Sequence, residues 1–245
     1  MSFLELHSLT KRFGGLKAVD DFSLSLEKGS LTALIGPNGC GKSTIFNLIS
    51  GTFAPTMGTI LFEGVDITPL PAQEIARMGM GRKFQVPAIF SELTVFQNLK
   101  VPTLQSSSSQ SRKQVKQSLI EILSLINLTE KSDLIADQLS HGEKQWLEIG
   151  MILAQSPKLV LLDEPTAGMT TIETAATAEL IKSINKEGDV TVLVIEHDIG
   201  FIEQLQCPLA VMARGSILKS GDFQTIRNDK DVQELYFGNA GSNHA

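Results

Sequence analysis

One run constrains this chain more than any other: Gly36-Pro37-Asn38-Gly39-Cys40-Gly41-Lys42-Ser43, which fits G-x-x-x-x-G-K-[ST]. Glycines at these spacings let the backbone curl until several N–H groups point inward, a shape suited to phosphate oxygens. Lys42 adds a full positive charge for β- and γ-phosphates, and the Ser43 hydroxyl is an oxygen ligand for Mg²⁺. Leu31 to Ile35 before the run reads as a buried strand, and Thr44 to Ile49 after it as a helix ended by Gly51. A helix opening on the loop turns its partial positive charge toward the same anion. A glycine-rich turn with no ligand is the plain alternative.

Two more apolar runs end in residues suited to the same work. Leu159 to Leu162 ends at Asp163 and Glu164, and Thr191 to Ile195 ends at Glu196, His197 and Asp198. Continuous apolar runs fit parallel strands covered on both faces. In such sheets ligands bind at the carboxyl ends of the strands, so parallel strands here align all three polar sets on one edge. Asp163 would then hold Mg²⁺ through its water shell, and Glu164 would polarise the water that attacks the γ-phosphate. His197 would hydrogen-bond the γ-phosphate or that water. His197 alone also reads as a solvated loop histidine. Asp163 and Glu164 as a mere surface pair would place charge directly after a buried strand, which is costly without a partner.

The chain has 245 residues and 42% hydrophobic residues, enough for a sizeable core. Its net charge of -6 argues against nucleic-acid binding through a bulk positive field. Cys40 and Cys207 are unclustered, which suggests neither a disulfide framework nor a zinc site and fits a reducing compartment. Met1 to Gly15 has no apolar signal-peptide core, and the longest apolar runs are too short to cross a bilayer, so a membrane role is expected to come through a partner. Short alternating runs up to about residue 66 read as strands, and Ala72 to Met78 as a short helix. Helical spacing then dominates from about Val86 to Gln155, as in Leu119, Ile122, Leu123 and Ile126. Gln105 to Ser111 is a Ser/Gln-rich connector. From Lys158 onward short β-rich runs and helical stretches alternate again. The fold class expected is α/β: one domain over 1–245, with a catalytic core in 1–85 and 156–238, a helical part in 86–155 and a loose tail in 239–245.

Leu139-Ser140-His141-Gly142-Glu143 opens another helix, with Ser140 and Glu143 at capping-box spacing. Leu147, Ile149, Ile152 and Leu153 give it a buried side, and it is expected to stop near Ser156-Pro157. A plain capped helix is one reading; the other takes its N-terminus, at Ser140 and Gly142, as a second anion cradle.

The ordered motifs resemble the ABC-type ATPase domain over nearly the whole chain. Gly36 to Ser43 matches its Walker A loop, Gln85 its Q-loop glutamine, Leu139 to Glu143 its LSGGQ signature, Leu159 to Glu164 its Walker B with the catalytic glutamate, and His197 its switch histidine. The resemblance implies a P-loop core with an antiparallel β part and an inserted helical part. It implies a head-to-tail dimer in which each ATP lies between Walker A of one subunit and the signature of the other. ATP would be held by Gly36, Pro37, Asn38, Gly39, Cys40, Gly41, Lys42, Ser43 and Thr44 on one side, and by Ser140, Gly142 and Glu143 on the other. Phe13 would stack on adenine, or simply be a hydrophobic strand end. Mg²⁺ would be held by Ser43, Gln85 and Asp163, and the catalytic set would be Glu164, His197, Gln85 and Lys42. Implied partners are a second ATPase subunit, membrane permease subunits and, indirectly, an extracytoplasmic solute-binding protein, with the chain peripheral on the cytoplasmic face of the membrane.

Within the family, Phe13-Gly14-Gly15-Leu16-Lys17-Ala18-Val19 and Arg82-Lys83-Phe84-Gln85 are similar to the ATPases of branched-chain amino-acid importers. Ser140 to Met151 and Ala167-Gly168-Met169-Thr170 are most similar to the ATP-binding subunit of urea importers. Uptake of urea or a related small polar or amino-acid solute follows as the expected role. Branched-chain amino acids, lipopolysaccharide or a soluble non-transport role are the alternatives. Two departures stand out: His141 replaces the usual signature glycine, and the loop after Walker B has Thr170 where many relatives carry an Asp that helps the two sites communicate. Cys40 in the loop suggests sensitivity to thiol reagents.

Overall fold

The computed structural model describes residues 2–83, 88–104 and 111–237. Gln85, most of the Ser/Gln-rich connector and the tail from residue 238 lie outside the described residues.

Among the described residues ten strands form two sheets. Strands β1 (Ser2–Phe13), β2 (Leu16–Glu27), β4 (Met57–Phe62) and β5 (Val65–Asp66) make an antiparallel sheet in the order β2-β1-β4-β5. The second sheet runs β10-β9-β3-β8-β7-β6, with β3 (Leu31–Ile35), β6 (Met80–Lys83), β7 (Leu159–Asp163), β8 (Thr191–Ile195), β9 (Leu209–Ala213) and β10 (Ser216–Gly221). All of its pairs are parallel except the hairpin of β9 and β10. The three runs read as buried strands are β3, β7 and β8, every residue of them buried. They lie side by side in the order β3-β8-β7, so their carboxyl ends meet at one edge.

Strand alternation explains why those runs are almost wholly apolar. Ala33, Ile35, Val160, Leu162, Val192 and Val194 face one core, and Leu34, Leu159, Leu161, Leu193 and Ile195 face another. The first core is filled by α3 (Val95–Lys100), α4 (Arg112–Leu125), α5 (His141–Leu153), α6 (Thr171–Gly188) and α7 (Ile199–Leu205). The second is filled by α1 (Lys42–Ile49), α2 (Ala72–Arg77) and the antiparallel sheet. Helices α8 (Phe223–Arg227) and α9 (Lys230–Phe237) follow the last strand, and Phe223, Ile226 and Val232 join the first core.

Helices α3, α4, α5 and α6 open on complete capping boxes, at Thr94/Gln97, Ser111/Gln114, Ser140/Glu143 and Thr170/Glu173. Helix α1 begins at Lys42 rather than Thr44, because Gly41 in a left-handed conformation turns the chain straight into it. Helix α5 ends at Leu153, short of the expected Ser156, which takes a left-handed φ of 52°. Strand β6 was not anticipated: Met80-Gly81-Arg82-Lys83 is polar and four residues long, and only its pairing with β7 makes it a strand.

Candidate functional site

The glycine-rich loop bridges β3 and α1. Gly41 has φ 111°, and a Cβ there would stand 2.4 Å from the Ala18 carbonyl oxygen, so only glycine lets β2 lie against the loop. Lys42 is 6% exposed and donates to the carbonyls of Gly36 at 2.7 Å and Pro37 at 3.1 Å. Asn38, Gly39 and Ser43 are exposed, and Pro37 and Thr44 half-buried, so the cradle is open to a ligand. Cys40 is buried, and burial pushes its thiol pKa up although Lys42 pulls it down. A buried, protonated sulfur works against the thiol sensitivity expected from sequence.

At the end of β7, Asp163 is 3% exposed. Its Oδ2 lies 3.9 Å from the Arg82 guanidinium, while its Oδ1 has no hydrogen-bond partner among the described residues. Burial raises its pKa, the Arg82 charge lowers it, and Glu164 raises it again; the Lys42 charge also reaches it. A buried carboxylate oxygen with no donor is costly unless a cation or its water shell arrives, so Asp163 fits Mg²⁺, as does the exposed Ser43 in the first turn of α1.

Glu164 follows in a left-handed conformation, φ 46°, its amide donating to the Ile195 carbonyl at 2.9 Å. A non-glycine residue held at positive φ beside a buried carboxylate is the kind of strain that concentrates at functional sites. Its Oε1 is 3.4 Å from His197 Nδ1. Glu196, 1% exposed, ties Thr166 to His197: it accepts from the Thr166 hydroxyl at 2.5 Å and amide at 3.2 Å, and from the His197 amide at 3.0 Å. The sheet edge therefore joins the loop, Asp163, Glu164 and His197.

Ser140 caps α5 as expected, its oxygen accepting from the Glu143 amide at 3.2 Å. Glu143 spends its carboxylate within the chain, on the Ser140 amide at 3.0 Å and on Lys131 at 2.5 Å. His141 is used too: its Nε2 lies 3.0 Å from the Ala167 carbonyl, to which Gln145 also donates at 2.9 Å. The start of the signature helix is thus fastened to the loop after β7 in the same chain. Phe13 ends β1, is 42% exposed and packs edge-on against Phe53 at 5.5 Å, with Lys11 over both rings. An exposed aromatic face of this kind suits a stacked base.

The sequence assigns no site role to Arg82 or Glu173, and reads Glu196 only as one of the polar residues that follow β8. Arg82 donates to Asn47 and Ser50, both at 2.8 Å, and so steadies Asp163 from α1. The long-range contacts of these three residues give them their roles.

The ABC transporter family pattern matches residues 19–167. The high-affinity branched-chain amino acid transport ATP-binding protein BraF of Pseudomonas aeruginosa is 35% identical, over 97% of this chain and 98% of its own length. The corresponding protein LivG of Escherichia coli is 36% identical over the same shares. The ADP conformation of an ATP-binding cassette of an ABC transporter superposes with a TM-score of 0.87 at 31% identity, over 97% of this chain and 99% of that one.

Proposed function

The chain belongs to the ABC transporter family and is an ABC-type ATPase, and we propose that it is the ATP-binding subunit of an importer and works as half of a head-to-tail pair. Each ATP then sits between the Lys42 loop of one subunit and the Ser140 helix of the other. The observation that carries this reading is the separation of two anion cradles. The loop shares its sheet edge with Asp163, Glu164 and His197, while Ser140 and Gly142 open a different helix, fastened to residues 167–173.

The chemistry follows from the side chains. Lys42 and the loop amides bind the β- and γ-phosphates. Ser43 and Asp163 would hold Mg²⁺, which supplies charge to neutralise the phosphate oxygens. Glu164 accepts the proton of the attacking water. His197, braced by Glu196, orients Glu164 and donates to the γ-phosphate. The phenyl face of Phe13 takes the adenine. Gln85, outside the described residues, would complete the Mg²⁺ and water contacts. Attached permease subunits transmit the closing and opening of the pair to a solute delivered by an external binding protein. No helix among the described residues is long and apolar enough to cross a membrane. On this reading the chain is peripheral, held by the permease subunits at the cytoplasmic face.

For cargo, the named relatives favour branched-chain amino acids. The runs Ser140 to Met151 and Ala167 to Thr170 favour urea as the second reading. Uptake of labelled leucine and urea in a deletion strain decides: loss of leucine uptake alone establishes the first, loss of urea uptake alone the second. The paired architecture is tested by ATPase activity per milligram, which is expected to rise with protein concentration. A flat dependence in a monomeric sample contradicts it.

A further inference from the structure

Glu173 is the first-turn acid of α6, yet that helix uses only half of it. Its Oε2 accepts from the Thr170 amide and hydroxyl, both at 2.9 Å, closing the capping box. Its Oε1 accepts the Ser140 hydroxyl at 3.2 Å, thirty-three residues away in sequence. A Cβ built on Gly142 would lie 2.5 Å from that same Oε1, so the carboxylate stands directly on the Gly142 backbone. The Thr170 amide and hydroxyl hold the Glu173 pKa below the usual carboxylate range, so the group is an anion at neutral pH. A negative charge from this chain therefore occupies the positive end of the thirteen-residue helix α5.

The placement is braced. His141 and Gln145 both reach the Ala167 carbonyl, and Trp146 Nε1 donates to the Thr177 hydroxyl at 2.9 Å. Helix α5 and residues 167–177 thus share hydrogen bonds on both sides of Glu173. Ser140 and Gly142 are the same groups that the paired-site reading gives to the γ-phosphate of the partner's ATP.

We propose that Glu173 is the resident anion of the signature helix, and that the incoming γ-phosphate must displace its carboxylate from Ser140 and Gly142 before the shared site closes. This rests on the paired-site reading. Two anions cannot share one helix terminus without repulsion, so Glu173 raises the ATP concentration needed for closure. Release requires only rotation of the side chain: Oε1 leaves Ser140 while the Thr170 contacts hold the start of α6. ADP, lacking the competing phosphate, leaves Glu173 in place. The device therefore sharpens the distinction between ATP and ADP.

Glu173→Gln tests this, because glutamine keeps the capping box but removes the charge. Dimerisation is followed by sedimentation as ATP is titrated into Glu164→Gln protein with and without the second substitution. Removing the charge is expected to lower the half-point by about fivefold, the scale of one charge at a helix terminus. A thermal melt checks that the variant is folded, and Glu173→Ala provides a second charge-free variant, expected to shift the half-point the same way. An unchanged or higher half-point in a folded variant overturns the Glu173 proposal alone. If Glu164→Gln itself fails to pair with ATP, the paired-site reading falls, and this proposal with it.

Discussion

Glu164→Gln protein binds ATP as the parent does but no longer turns it over, and it accumulates as an ATP-bound dimer. Turnover is expected to fall by at least about a hundredfold, the lower range for losing a positioned general base. The size of the effect follows from placement. Glu164 is fixed by its amide bond to Ile195, its positive φ, and the His197 imidazole 3.4 Å from its carboxylate. Glutamine matches the shape and leaves the backbone alone, so binding survives; it lacks the basicity to take a proton from water. Size-exclusion chromatography with and without ATP shows the dimer, and a phosphate-release assay gives the turnover. Parent-level turnover would remove Glu164 from the role of base.

Lys42→Ala is expected to weaken ATP binding by about a hundredfold, or about 2.7 kcal/mol, in the range for a lost hydrogen bond to a charged group. Lys42 is nearly buried, its ammonium held by the Gly36 and Pro37 carbonyls at the loop. No other cation belongs to the Gly36–Ser43 run, so the phosphates lose their nearest countercharge. The Asp163 charge would also lose one of the cations that favour it. Calorimetric titration measures the affinity. Undiminished binding would show that the loop amides suffice and that Lys42 is structural.

The sheet edge was legible because its strands obey a simple rule. A strand covered on both faces is mostly apolar, and β3, β7 and β8 are buried throughout with Thr32, Thr191 and the closing Asp163 their only polar residues, so the charged residues that end β7 and follow β8 fall at the sheet edge. Ser140 was legible for an equally local reason, the capping-box spacing to Glu143. Thr170 and Glu173 have the same spacing, so the start of α6 was open to the same reading; the second oxygen of Glu173 was not, because its partner is on another helix. Strand β6 escaped because Arg82 and Lys83 are charged, and their burial depends on partners elsewhere: Asp163 for Arg82 and Glu148 on α5 for Lys83. Glu196 looked like one more polar residue after β8, yet it ties Thr166 to His197 from the interior. The missing Asp after Walker B suggested weakened communication between sites. In its place the structure has His141 and Gln145 gripping the Ala167 carbonyl, a physical link between the signature helix and that loop.

The most direct test is the crystal structure of the Glu164→Gln protein loaded with ATP and Mg²⁺. The distance to read is from the Ser140 hydroxyl to the γ-phosphate of the nucleotide seated on the partner subunit's loop. Hydrogen-bond contact there, with Glu173 turned away from Ser140, is the predicted result. A nucleotide enclosed by one chain alone, with Ser140 and Gly142 far from any triphosphate, would contradict it.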